Sequence, residues 1–291
     1  MSFTPAEITP GVRFTSVYTS RGKSDSVSVS FRIPLDKRNL ASAALVSKII
    51  SRGTAGFPDT LSINRECEDN YGTSVDIFYQ KCGGEIVFTF LTSYLRSRYA
   101  FGGENIAFRA LSMLREFIFS PLLTDGSFDA VYTAREKVTL LQQIASIRNN
   151  KPRYALKRAA DIMCENEPFS MTTYNCADVI NELTPRELAD FFAYAVSDTP
   201  VEIIYAGETG RDEIIKLISS ILPFTPRKSA EPSSFRTREV KKKSALPKKQ
   251  PPRNRLSLWG SGWIRASTKT ISTTQLFSAP CFHFHPFRSC L

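Results

Sequence analysis

The sequence predicts an α+β fold, an antiparallel sheet with helices packed on one face. Three observations lead there. Alternating apolar and polar runs mark short strands that come in neighbouring pairs, helical runs cluster between those pairs, and Gly or Pro breaks the clusters instead of a regular strand-helix alternation. The 291 residues, 42% hydrophobic and 23% charged, suffice for one large domain or two small ones.

In chain order, Ser26 to Ile33 alternates strictly and is stopped by Pro34, so it reads as a half-buried strand. Val12 to Thr19 is expected to pair with it across a turn at Ser20 to Asp25, opening the chain with a hairpin. From Arg38 to Ser51 the residues Leu40, Ala43, Ala44, Leu45, Val46, Ile49 and Ile50 predict a largely buried helix that stops at Gly53. A second helix is expected from about Asp59 to Asn70. Thr73 to Gln80 and Glu85 to Tyr94, split by Cys82-Gly83-Gly84, predict a second hairpin. After Gly102-Gly103, helices are expected over Glu104 to Phe119, Ser127 to Asn149 and Pro152 to Glu165. Thr184-Pro185-Arg186-Glu187 is a capped helix start, with Thr as N-cap, Pro at the first position and an acid in the first turn. Val201 to Gly207 then predicts a strand and Arg211 to Leu222 a final helix.

Beyond Pro223 the pattern changes. Residues 223–252 are rich in Pro, Lys and Ser and read as a linker; in 253–291 neither period persists. The expected organisation is a folded unit over 12–222, that linker, and an irregular tail. The net charge of +10 belongs to the tail: 12 of the 38 basic residues and one of the 28 acids lie from Arg236 to the end, leaving 26 basic and 27 acidic residues before. Both tryptophans (Trp259, Trp263) and both histidines (His283, His285) also fall in the tail. The six cysteines show no CxxC or other metal-ligand spacing, which predicts reduced packing residues. No apolar run approaches the ~20 residues of a membrane span and no secretory signal is evident, so a cytoplasmic protein is expected.

Ala44-Leu45-Val46-Ser47-Lys48-Ile49-Ile50-Ser51-Arg52-Gly53-Thr54 resembles the signature helix of the M16 (insulinase/pitrilysin-like) zinc peptidases, H-x-x-E-H followed by an apolar pair and Lys/Arg-Gly-Thr. The end of that motif is present and its head is not. Placed on Gly53-Thr54, the family's two zinc histidines fall on Ala44 and Lys48 and its general-base glutamate on Ser47. The likeness continues in Gly72-Thr73-Ser74-Val75-Asp76, in Glu167-Pro168-Phe169 and in Ile180 to Leu188. It also extends over Phe128 to Ile144, where Glu136 keeps a companion-glutamate position and Gln143 takes the place of the third ligand. It covers roughly Val12 to Leu222 and implies one M16/LuxS-like half-lobe. Arg52-Gly53-Thr54, Tyr71-Gly72 and Glu167-Pro168-Phe169 together are most similar to a degenerate bacterial branch associated with elongation factor P modification.

A zinc site of this type needs two histidines one helical turn apart, a carboxylate ligand and a second carboxylate as base. Ala44 has no donor atom, Lys48 brings a cation, Gln143 offers a neutral amide, and no histidine precedes His283. No metal, cofactor or catalytic residue is therefore expected. A Ser47/Lys48 nucleophile pair is disfavoured because adjacent helix positions diverge by about 100°. Cys67 and Cys82 lack a histidine partner, and Gly207-Glu208-Thr209-Gly210 falls short of a dinucleotide fingerprint.

Two function classes stay open. One is an interaction protein, a degenerate lobe that adds its concave wall to an intact M16-like partner, with peptide as a further candidate ligand. The other is a peptidase completed only by a partner subunit. The missing ligands favour the first. Nucleic-acid binding through Lys241-Lys242-Lys243 and Lys248-Lys249 ranks last, because it rests on charge alone. The tail itself is expected to come from a frameshifted or prematurely ended gene or from a sequencing error, since a one-nucleotide shift permits an apolar ALFSAVF stretch like the start of a second half-lobe.

Overall fold

The computed structural model describes residues 3–227 except 103 and 166. The tail with its tryptophans, histidines and lysine clusters, and the expected linker after Arg227, lie outside the described residues. Six strands form one sheet: β1 (Phe3–Thr9), β2 (Val12–Tyr18), β3 (Ser24–Pro34), β4 (Ser74–Cys82), β5 (Glu85–Leu95) and β6 (Val201–Gly207), in the order β1-β2-β6-β3-β5-β4. The helices are α1 (Lys37–Ile50), α2 (Thr60–Asp69), α3 (Ile106–Phe119), α4 (Ala130–Ser146), α5 (Lys151–Met163), α6 (Ala177–Glu182), α7 (Pro185–Asp198) and α8 (Arg211–Ile221). The α+β half-lobe architecture expected from the sequence is the one observed, except that the sheet is mixed instead of antiparallel, because β2 and β6 run parallel. No helix among the described residues is long and apolar enough to cross a membrane.

The opening hairpin is different from the one expected. β2 pairs antiparallel with β1 and parallel with β6, while β3 pairs with β6 and β5. β6 is thus inserted between β2 and β3, where its Val201, Ile203 and Tyr205 are buried. The connection after β2 must cross two strand spacings, roughly 10 Å, which a tight turn cannot span. The real hairpin is β1–β2, turned at Gly11 with φ +78°; a Cβ there would collide with the backbone of Arg227. β4 and β5 form the predicted second hairpin.

Alternation divides the sheet. Val27, Val29, Phe31 and Ile33 of β3 and Ile86, Phe88 and Phe90 of β5 are fully buried on the core face. Phe88 meets Phe90 edge-on at 5.3 Å, Phe90 meets Phe31 at 5.9 Å and Phe192 of α7 at 6.4 Å, and Phe192 meets Phe128 just ahead of α4 at 6.3 Å. This aromatic chain ties sheet, α7 and the start of α4 into one core. Val87, Leu91, Ile204 and Ala206 lie on the opposite face, half-buried and outside the main core cluster. The register aligns Thr15, Ile204, Ser28, Leu91 and Asp76 in one row across it.

α1 is the most buried helix, with ten of its 14 residues inside, which is why its sequence is apolar nearly all round. Asp36 caps it by accepting from the Asn39 amide. α7 has the predicted Thr184/Glu187 capping box. The helix expected over Ser127 to Asn149 is α4 followed by a 3₁₀ turn at Ile147–Asn149. α6 was not foreseen; six residues without a side-chain cap give no readable period.

Candidate functional site

The positions that resemble the zinc site lie on α1 and α4, which pack against each other. Ala44 and Lys48 are one turn apart on α1, and Glu136 and Gln143 two turns apart on one side of α4. The helices are bridged by Arg52, whose Nε and Nη2 donate to Glu136 Oε1 at 3.0 and 2.6 Å. Glu136 is buried, its side chain only 6% exposed, whereas the Arg52 side chain is 54% exposed and reaches in from solvent. Ala44 is buried, Ser47 is buried, Lys48 is half-buried and Gln143 is exposed. Ser47 Oγ donates to the Ala44 carbonyl at 3.1 Å, so its proton is held by the helix itself.

These residues do not fit a zinc ion. Ala44 offers no lone pair, Lys48 brings a cation in place of a histidine, and Glu136 is already bound by Arg52. Among the described residues no group of three or more His, Cys, Asp or Glu side chains could hold a metal ion. No chemical step is derived through a metal here.

The part of the motif that survives is structural. The Thr54 amide donates to the Phe57 carbonyl at 2.7 Å, and Thr54 Oγ1 accepts from the Phe57 amide at 3.0 Å. A Cβ on Gly53 would come within 2.7 Å of the Pro58 carbonyl oxygen. Gly53 and fully buried Thr54 therefore close the turn after α1 whatever α1 carries. Tyr71-Gly72 plays a similar part after α2: both have positive φ, 57° and 76°, and the Gly72 amide donates to the Cys67 carbonyl at 2.9 Å.

The remaining sequence candidates are also structural. Cys67 is half-buried and burial pushes its thiol up. Cys82 is exposed on the edge strand. The Gly207-Glu208-Thr209-Gly210 turn is filled by protein groups: the Thr209 amide donates to Tyr205 Oη at 2.9 Å, and Glu208 pairs with Arg96 at 2.7 Å and Arg98 at 2.8 Å. Gly207 is required there, because a Cβ would overlap Tyr205 Oη and the Asp25 carboxylate.

Two anchors were not legible in advance. Buried Arg96 donates to Asp25 Oδ1 at 2.6 Å and to the carbonyls of Thr19 and Gly22 at 2.9 and 3.0 Å, pinning the loop that crosses over β6. Lys81 of β4 donates to the carbonyls of Pro168, Phe169 and Met171 at 3.1, 2.7 and 2.7 Å, clamping the 3₁₀ turn that carries Glu167-Pro168-Phe169. Burial draws the Lys81 pKa down. Both partners are distant in sequence, and no local pattern announces them.

No protein-family model matches the chain. In sequence it is similar to YmfF of Bacillus subtilis (strain 168), described as a probable inactive metalloprotease, with 27% identity over 198 residues, 68% of this chain and 46% of that protein. Its fold is similar to a conserved protein from Enterococcus faecalis V583, with TM-score 0.75, 22% identity, 81% of this chain and 55% of the other. It is also similar to a peptidase M16 inactive domain from Pseudomonas fluorescens, with TM-score 0.62, 18% identity and coverages of 79% and 53%. The fold is that of an M16-like half-lobe, and in sequence the chain is similar to a protein described as a probable inactive metalloprotease. The chain spans about half the length of the relatives it matches.

Proposed function

We propose that this chain serves as the non-catalytic lobe of a two-lobed M16-type assembly in the cytoplasm, set against an intact M16-like partner that keeps the zinc site. The observation that carries the reading is the combination on α1. The helix is capped and buried, its zinc-motif positions carry an alanine and a lysine, and Arg52 just beyond its end binds Glu136. Selection for fold without selection for metal suits a lobe whose task is to pack and to bind. The half-buried apolar residues Val87, Leu91, Ile204 and Ala206 on the outer sheet face support a contact surface. β4 is a sheet edge, which can take an extended peptide as an added strand. The likeness in Arg52-Gly53-Thr54, Tyr71-Gly72 and Glu167-Pro168-Phe169 supports a place beside elongation factor P modification. In this reading residues 12–222 are the working lobe and the tail takes no part.

The test is co-expression with an intact M16-like protein encoded nearby, with association measured by size exclusion and repeated with residues after Pro226 deleted. Co-elution that survives the deletion is expected. Failure to associate, together with salt-sensitive RNA binding lost on deletion, would replace this reading with a basic nucleic-acid arm.

A further inference from the structure

Between Ile147, the C-cap of α4, and Cys176, just ahead of α6, no described residue is buried. α1 buries ten of its 14 residues and α3 seven of 14, whereas α5 buries none that is described. Leu156 of α5 and Phe169 in the 3₁₀ turn Pro168–Ser170 are 64% and 61% exposed. Among the described apolar side chains of this stretch, Met171 alone packs against the main core. A cavity of about 340 Å³, bordered by Lys37 of α1 and by Arg158 and Asp161 of α5, keeps the two helices from closing on each other. Apolar burial, which fixes the other helices, therefore contributes little here.

The polar contacts of the stretch fall into two sets. One set is internal. Lys157 Nζ donates to Asp161 Oδ2 at 2.8 Å and to Asn175 Oδ1 at 2.6 Å, Asn175 Nδ2 donates to Asp161 Oδ1 at 3.2 Å and to the Ser170 carbonyl at 3.1 Å, and Arg153 Nη2 donates to Tyr174 Oη at 2.8 Å. These bonds tie α5 to the turn Pro168–Ser170 and to the next one, Thr173–Asn175, so the three elements hold together as one body. The other set fastens that body to the sheet, through the Lys81 ammonium on the carbonyls of Pro168, Phe169 and Met171 and through Tyr79 Oη, 2.8 Å from Thr173 Oγ1. Both residues belong to β4, the edge strand. A segment that coheres within itself and is held to the rest mainly by polar bonds opens at lower free energy than the core elements, and opens as a unit.

We infer that α5 and the two 3₁₀ turns form a strap that swings off the lobe as one body, hinged at Asn150 and Cys176 and latched by Lys81 and Tyr79. In the closed form the ring of Tyr79 and the ammonium of Lys81 are turned to the strap. Opening frees both beside the sheet edge.

Hydrogen exchange of the full chain, followed by mass spectrometry of its peptides, tests this. The amides of α5 and of the two turns should share one opening free energy and exchange at least ~100-fold faster than those of α3 and α7, relative to their intrinsic rates. Lys81→Met and Tyr79→Phe should each speed the strap by roughly three- to ten-fold and leave α3 and α7 unchanged. Arg109→Met, which removes the bonds from α3 to Glu66 and to the Asp69 carbonyl of α2, should leave the strap at its original rate. The inference is overturned if α5 exchanges as slowly as α7, if α5 and the turns open independently of each other, or if Arg109→Met speeds the strap as much as Lys81→Met. Tyr79→Phe keeps the ring and decides the role of the latch should circular dichroism reveal that Lys81→Met is misfolded.

Discussion

Replacing Arg96 by Met should cost this lobe about 3–5 kcal/mol, although Arg96 touches none of the positions that resemble the zinc site. Arg96 and Asp25 are 4% and 5% exposed at their side chains and 2.6 Å apart. Methionine keeps an apolar stem and removes the guanidinium, so a buried Asp25 carboxylate is left with Tyr205 Oη, 2.7 Å away, as its remaining side-chain hydrogen-bond donor. The loop carbonyls released from Arg96 are nearer to solvent and can be rehydrated, and Glu208 keeps Arg98. The stranded charge therefore dominates the loss. Arg98→Met is the natural comparison: its side chain is 52% exposed, and its pair with Glu208 should contribute no more than about 1 kcal/mol. Against a total stability of about 5–15 kcal/mol, the first change should lower the urea midpoint markedly and the second hardly at all. Unfolding followed by far-ultraviolet circular dichroism reads both. Asp25→Asn combined with Arg96→Met should recover part of the loss, since the buried charge is then gone. Equal midpoints for Arg96→Met and Arg98→Met would refute the reasoning, and with it the role of Arg96 in holding the loop over β6.

Two further outcomes are expected. Elemental analysis of the purified chain should find no stoichiometric zinc, and Ala44→His, Ser47→Glu, Lys48→His and Gln143→Glu combined should bind it only weakly. The buried Ala44 and Ser47 positions must then accept larger groups at about 1–3 kcal/mol each, and Arg52 still holds Glu136. One zinc per unmodified chain would show that the metal positions are misplaced. Glu202→Gln should stabilise the protein at pH 7, with the difference closing as pH falls below about 4. Burial raises the Glu202 pKa against the opposing pull of Arg32 and Arg13, so the folded state binds this proton more tightly than the unfolded chain. Its favourable contribution is full below the unfolded pKa and is lost as pH rises through the folded one. A urea midpoint lower for Glu202→Gln than for the unmodified protein at pH 7 would reverse that sign.

The local elements were legible and the order of strands was not. Strict alternation in Ser26 to Ile33 and the Thr184/Glu187 box are short-range signals, and β3 and α7 stand where those signals put them. The place of β6 between β2 and β3 is set by residues some 180 positions apart, with Val27 opposite Tyr205 and Thr15 beside Ile204, and no window of sequence contains both partners. The cavity beside Lys37 was invisible for the same reason. Its lining comes from three stretches of chain, and none of its residues belongs to a motif.

The division within the α1 motif has a physical basis. Gly53 and Thr54 act through backbone geometry: one avoids the Pro58 carbonyl, the other pairs twice with Phe57. Substituting either strains a buried turn and threatens the whole lobe, so these residues are held by folding itself. A zinc histidine at position 44 or 48 stabilises the fold only when metal is bound, and without metal it is a polar ring to be buried against α4. In this buried position small and apolar Ala44 packs better than an unliganded imidazole would. Arg52 can then take up Glu136, whose carboxylate would otherwise be buried unpaired at a cost of several kcal/mol. Arg52 and Glu136 both stand at positions that match the motif, and their pair holds α4 against the end of α1 without any metal. Arg52→Ala should therefore destabilise this chain by leaving Glu136 alone, and Arg52→Ala combined with Glu136→Gln should restore much of the loss. Urea midpoints of the three variants measure this. An Arg52→Ala midpoint equal to that of the unmodified chain would mean that Glu136 is hydrated in solution and that the pair compensates for nothing.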